Sequence, residues 1–256
     1  MRPSPKINHP RLLQLERGEA RMNATLVVNG KGGVGKTTIT TNLASYFASQ
    51  GVPTTIADFD PQGSSLNWIK QRPLNVGKIY GADMAQRNAV GLSAARREIP
   101  RDTRQLIIDA PAGPSRLLLQ DLLTRAQSIL IPVAPSPIDV HATAGFIKEL
   151  LLVGHVRLRN VRVAVLANRV RSRKPVYEPL ERFVASLNMT FVARVSDSDT
   201  YVDAADAGLG VFDMPVEKCS AEQREFLPIV RWVQEDSAPR DHPVSNVIPL
   251  RSAKRP

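Results

Sequence analysis

Asn29-Gly30-Lys31-Gly32-Gly33-Val34-Gly35-Lys36-Thr37-Thr38 lies between an apolar run, residues 24–28, and a segment of helical character, residues 39–48. Gly30, four intervening residues and then Gly35-Lys36-Thr37 fit the phosphate-loop pattern of strand, glycine-rich turn and helix. Glycines let consecutive backbone N–H groups curl around a di- or triphosphate with no Cβ in the way. In that reading Gly32, Gly33, Val34, Gly35 and Thr38 line the phosphates and Lys36 neutralises them. Thr37 offers its hydroxyl to Mg²⁺, and the positive N-terminal end of the helix points at the anion. The competing reading is a glycine-rich hairpin turn with an exposed lysine, and the strand before and helix after the loop speak against it.

Outward from the loop, short β-rich runs alternate with helical patterns. Candidate strands cover residues 25–29, 54–58, 77–80, 105–109, 128–133, 161–167 and 190–192. Helical patterns cover 36–49, 64–70, 85–97, 115–123, 140–152 and 177–186. This alternation predicts an α/β fold, a doubly wound and mainly parallel sheet with helices on both faces and its site at the carboxyl ends of the strands. An amphipathic segment at 222–234 is expected to pack on the body.

A chain of 256 residues, 43% hydrophobic and only 5% aromatic, can build one large core of Leu, Val, Ile and Ala. The single cysteine, Cys219, excludes a disulfide framework and any iron–sulfur or zinc site built on cysteine pairs, which suits a reducing cytoplasm. No apolar run approaches the roughly 20 residues of a membrane span. The net charge of +10 is uneven, with +3 in residues 2–24, +3 in residues 237–256 and the rest in the body. Both termini are rich in Pro, Asn and Ser, so residues 1–23 and 236–256 are expected to be basic, disordered extensions of one domain at 24–235.

Lys31, directly after the first glycine, turns the loop into Lys-Gly-Gly-Val-Gly-Lys-Thr-Thr, which resembles the deviant phosphate loop of the ParA/MinD ATPases. The resemblance implies ATP and Mg²⁺ as cofactors and a homodimer in the ATP state. It also implies that Lys31 crosses to the other subunit and touches its phosphates. Two strand ends extend the likeness. Asp58-Phe59-Asp60-Pro61-Gln62-Gly63 reads locally as Asx-type turn capping, but it resembles a family element whose second aspartate orients the attacking water. By that correspondence Asp60, with Lys31 and Lys36, is catalytic, and Asp58 supports the metal. Asp109, ending an apolar strand before Ala110-Pro111-Ala112-Gly113, reads as the carboxylate that holds a water on Mg²⁺. The stretch 132–139 reads as a proline-stiffened loop and a helix start, and similar stretches in compact relatives lie at the dimer interface. Asn168 resembles the family position that hydrogen-bonds the adenine, and is otherwise a turn former.

Three function classes compete. The resemblance favours a ParA-type positioning ATPase that binds nucleoid DNA without sequence preference and moves a cargo through a ParB-like or McdB-like adaptor. That implies a cytoplasmic, nucleoid-associated protein with no membrane partner. A MinD-like membrane regulator would need a C-terminal amphipathic helix rich in Lys and bulky apolar residues. A metabolic phosphate-loop enzyme is opposed by Lys31 and by the basic surface. For DNA, Arg157, Arg159, Arg169, Arg171, Arg173 and Lys174, with Arg162, form a run without an acidic residue between Glu149 and Glu178. A solvated face is the bland alternative, but Arg grips phosphate oxygens whatever the base.

Overall fold

The computed structural model describes residues 22–85, 98–154, 161–171 and 177–235. Its seven strands are β1 (Asn23–Val27), β2 (Thr54–Asp58), β3 (Ile79–Asp83), β4 (Gln105–Asp109), β5 (Ser128–Val133), β6 (Arg162–Val170) and β7 (Thr190–Ser196). They form one sheet in the order β3-β2-β4-β1-β5-β6-β7, with every neighbouring pair parallel. The helices are α1 (Lys36–Ser49), α2 (Ser64–Gln71), α3 (Arg116–Leu123), α4 (Pro137–Gly154), α5 (Glu178–Ser186), α6 (Asp199–Asp206) and α7 (Val216–Gln234), with a 3-10 turn at Val211–Asp213. Chain order moves out from β1 through β2 and β3, returns at β4, and continues past β1 at β5. The crevice at the carboxyl end of β1 is therefore the topological switch point where such sheets bind ligands.

Both faces of the central sheet are buried, so β2, β4 and β5 are buried along their whole lengths, and β4 and β5 carry apolar runs, Leu106–Ile108 and Ile129–Val133, rather than alternating ones. Successive β1 side chains go to opposite faces. Leu26 joins a cluster with Leu119 and Leu122 of α3, Phe146 and Ile147 of α4 and Leu180 of α5. Val27 joins the other, with Ile39 and Leu43 of α1, Trp68 of α2 and Phe226, Ile229 and Val233 of α7. Each fully buried Leu or Ile in these layers is worth about 1.5–3 kcal/mol of transfer free energy.

The strands 54–58, 105–109 and 128–133 and the helix 36–49 carry the bounds the sequence predicts. β1 begins earlier than expected because the Asn23 amide donates to Arg104 O at 2.8 Å. The fourth long helix begins at Pro137 instead of residue 140. Ser136 Oγ accepts from the Asp139 amide at 3.1 Å, and a proline at the first helical position forfeits no internal bond. α6 is unforeseen. The helical pattern at 85–97 lies, beyond Ala85, outside the described residues.

Candidate nucleotide-binding site

The phosphate loop joins β1 to α1 at the switch point. Gly33 and Gly35 take φ values of +76° and +86°, a left-handed region that side-chain-bearing residues enter at a cost. Gly35 has a second reason to be glycine: a Cβ there would lie 2.0 Å from Asn168 Nδ2. Asn29 ties the entry to the loop, donating through Nδ2 to Pro132 O at 2.8 Å and Thr143 Oγ1 at 3.0 Å while its Oδ1 accepts from the Lys31 amide at 3.0 Å. Sequence reading missed this anchor, although a buried polar residue ending an apolar run is the signal that marks it.

Lys36, Asp58 and Asp109 are all buried. Burial lowers the Lys36 pKa below its ordinary value, while the negative charges of Asp109 and Asp60 pull it back up. Asp109 Oδ2 accepts from Thr37 Oγ1 at 3.0 Å, so the loop hydroxyl and the β4 carboxylate meet directly. Desolvation, with the neighbouring charge of Asp58, raises the Asp109 pKa to about 7, against the opposing pull of Thr37 and Lys36. Asp109 Oδ1 is buried and has no hydrogen-bond partner among the described residues. A buried orphan oxygen beside a threonine hydroxyl fits a hard cation that keeps most of its ligands as water and phosphate oxygens. Among the described residues no group of three or more His, Cys, Asp or Glu could cage an ion.

Asp58 has a different local task from the one its position suggests. Its Oδ2 accepts from Ser65 Oγ at 2.7 Å, Ser65 N at 3.2 Å and Leu66 N at 3.3 Å, and its Oδ1 from Asp60 N at 3.0 Å. The carboxylate thus closes the N-terminus of α2, satisfying amides that the helix itself leaves free. Asp58 thereby holds this loop, and its charge acts on Asp109 beside it. Asp60 Oδ1 accepts from the Gln62 amide at 3.0 Å, the Asx turn expected from Asp60-Pro61, while its Oδ2 makes no hydrogen bond among the described residues.

Lys31 is half exposed, and its Nζ lies 3.8 Å from Asp139 Oδ1 of the same chain. Asn168 is buried, and its Nδ2 donates to Val34 O at 2.9 Å, so in this structure it braces the phosphate loop. Of the expected DNA contacts, Arg157, Arg159, Arg173 and Lys174 lie outside the described residues. Arg169 is exposed at the end of β6 with φ +57°, and Arg171 is ion-paired with Asp197 beyond β7. The acid-free run along the chain is therefore not acid-free in space. Arg162, at the other end of β6, donates to the carbonyls of Trp232 and Val233 and caps α7. It belongs to the framework.

A family described as the CobQ/CobB/MinD/ParA nucleotide binding domain matches residues 25–211. "Maintenance of carboxysome distribution protein A" from Halothiobacillus neapolitanus is 25% identical over 76% of this chain and 89% of its own. The MinD cell division protein of Aquifex aeolicus superposes with a TM-score of 0.62 at 21% identity, covering 85% of this chain and 99% of that one. An ATP complex of a McdA variant from Cyanothece gives 0.61 at 14% identity, over 84% of this chain and 96% of that one. At those identities the two structures speak to the fold alone, and the fold agrees with the expected doubly wound sheet.

Proposed function

The chain belongs to the CobQ/CobB/MinD/ParA nucleotide-binding family, and from that premise we propose that it is a ParA-type ATPase. It binds ATP with Mg²⁺, dimerises in that state, holds double-stranded DNA without sequence preference in the nucleoid, and positions a cargo. The cargo is a plasmid, a chromosome locus or a protein organelle such as a carboxysome, engaged through a ParB-like or McdB-like adaptor that stimulates hydrolysis. The observation that carries this reading is the loop itself: Lys36 buried under it, Lys31 exposed beside it, and Thr37 joined to Asp109 beneath it.

Each residue has a task in the chemistry. The loop amides and Lys36 grip the phosphates, and Thr37 with Asp109 provides the seat for the ion. When bound, Mg²⁺ neutralises charge on the phosphate oxygens. Asp60 offers Oδ2 to orient the attacking water, while Asp58 and the Asx turn hold that carboxylate still. Phosphoryl transfer needs positioning and electrostatics more than covalent participation, so this set is sufficient. Lys31 supplies positive charge across the dimer. Asn168 stands near the base. A MinD-like reading would call on the C-terminal helix to enter a lipid surface, but Phe226, Ile229, Val230, Trp232 and Val233 of α7 are packed into the core. No helix among the described residues is long and apolar enough to cross a membrane.

The test is Asp60→Ala. It should bind ATP with unchanged Kd and lose about 10²-fold or more of the adaptor-stimulated hydrolysis rate, measured as phosphate release. Hydrolysis at the wild-type rate would show that the second carboxylate motif is misassigned.

A further inference from the structure

Helix α2 follows the Asp58–Asp60 loop and helix α1 follows the phosphate loop, so their relative position decides where Asp60 stands with respect to the nucleotide. The two helices are bound to the same short segment, residues 208–213, far along the chain. On the α2 side, Trp68 Nε1 donates to Leu209 O at 3.1 Å and Arg72 Nη1 to Gly208 O at 3.3 Å. Arg72 also makes a bidentate pair with Asp213, both bonds 2.7 Å, with the two side chains only 5% and 1% exposed. Gly208, at φ +67°, lets the segment press against α2: a Cβ there would lie 2.5 Å from the Gln71 carbonyl carbon. On the α1 side, Asn42 Oδ1 accepts from Val211 N at 2.8 Å, and the Tyr46 and Phe212 rings meet edge to face at 4.9 Å. From behind, Gln223 Nε2 of α7 donates to Val211 O at 2.7 Å.

We propose that residues 208–213 form a clasp that registers α2 against the phosphate-loop helix, with Arg72 and Asp213 as positioning residues for Asp60. A buried, bidentate guanidinium–carboxylate pair is a poor source of net stability but a strong source of geometric definition. α2 is thus held at both ends, by the Asp58 carboxylate at its start and by the Arg72–Asp213 pair at its finish. A helix of eight residues pinned this way cannot rotate without breaking one of the two. The clasp rests on the reading of Asp60 as the residue that orients water, and it adds a distant determinant of that residue's position.

Arg72→Lys keeps the charge and loses the fork. It should leave the ATP Kd and KM within about twofold and lower adaptor-stimulated kcat by ten- to a hundredfold, the usual cost of small misplacement at a reacting centre. Hydrogen exchange should quicken at the Asp60, Gln62, Ser65 and Leu66 amides, while the interior of α1 stays protected. Trp68→Phe, which deletes the bond to Leu209 and trims the ring that Arg72 lies over, should show the same pattern more weakly and serves if the lysine variant fails to fold. Unchanged exchange in residues 60–66, or faster exchange with an unchanged kcat, overturns the clasp. Asp60→Ala run in parallel isolates the other possibility: if that variant hydrolyses normally, the water-orienting assignment has failed on its own.

Discussion

The part of the sheet built from β2, β4 and β1 keeps one unbroken parallel register, whereas β6 and β7 slip against each other twice, between Val165 and Leu166 and between Ala167 and Val170. In the regular half, Asp58 and Asp109 are register partners on adjacent strands, so two like charges face one another under the phosphate loop. One of their oxygens has no partner among the described residues, and the pKa of its carboxyl is displaced upward. In the irregular half, Arg171 is matched by Asp197, Arg194 by Glu181 and Arg182 by Glu178. Most cations of this region are matched within the chain, with Arg169 left exposed beside them. In the regular half like charges stack in the interior, and Lys36 and Thr37 oppose them only in part.

The contrast is broken most severely by removing the buried cation of the regular half. Lys36→Ala leaves the carboxylates opposed without relief and should raise the ATP Kd by the equivalent of about 2–5 kcal/mol, or some 30- to several-thousand-fold. Titration with a fluorescent ATP analogue measures it, and binding within threefold of wild type would sink the phosphate-loop assignment. On the irregular side, Arg169→Glu with Arg171→Glu should abolish ATP-dependent DNA binding at low salt without altering nucleotide binding. Each lost phosphate contact lowers the log–log salt slope by about 0.9. A doubly reversed protein with an unaltered slope would move the DNA surface elsewhere, the basic termini being the next place to look.

A smaller effect follows from Asp109. Its folded-state pKa, raised from 3.8 to about 7, means that the folded protein holds a proton there that the unfolded chain has already released. The stabilisation is complete below pH 3.8 and is lost as pH rises through about 7. The nucleotide-free protein should therefore melt at a lower temperature above neutral pH than below it, and Asp109→Asn should flatten that part of the profile. A wild-type midpoint that rises through neutrality would contradict the opposed pair. The least effect belongs to Asp197→Asn, which frees Arg171 from a surface ion pair worth about 0–1 kcal/mol. DNA affinity should rise by no more than about fivefold, and a decrease would show that Arg171 serves the fold alone.

The regular half was also the half most legible in the sequence. Strands 54–58 and 105–109 are short β-forming stretches, Thr-Thr-Ile-Ala and Gln-Leu-Ile-Ile, each ending in aspartate, so the same residues declare the strand, its end and the site. β7 carries mixed polarity, and its extent to Ser196 is set by pairing with β6 rather than by its own pattern. α6 escaped notice because only Tyr201 and Ala204 of its eight residues are buried, too few for a period. The sign that could have found it is Ser198, whose hydroxyl accepts from the Thr200 amide at 3.2 Å as an N-cap. Asp58 was legible as a strand-end acid, and its stretch as Asx-type capping, but its reach to the Ser65 hydroxyl and the Ser65 and Leu66 amides of α2, seven and eight positions on, was not. The Arg72–Asp213 pair left no local trace at all, because its members are 141 positions apart.

The contact between Asn168 and the phosphate loop bears on the entropy of binding. A glycine-rich segment is the part of a chain with most conformational freedom to lose, and ordering it around a ligand ordinarily consumes affinity. Here the Val34 carbonyl is already held by a side chain from the end of β6, and the same amide fills the space a Cβ at position 35 would need. The ordering is done during folding, when β6 joins the sheet. Asn168→Ala would give that freedom back, so its penalty on ATP should appear chiefly in the entropy of association, separable by calorimetry from the enthalpy of the phosphate contacts themselves.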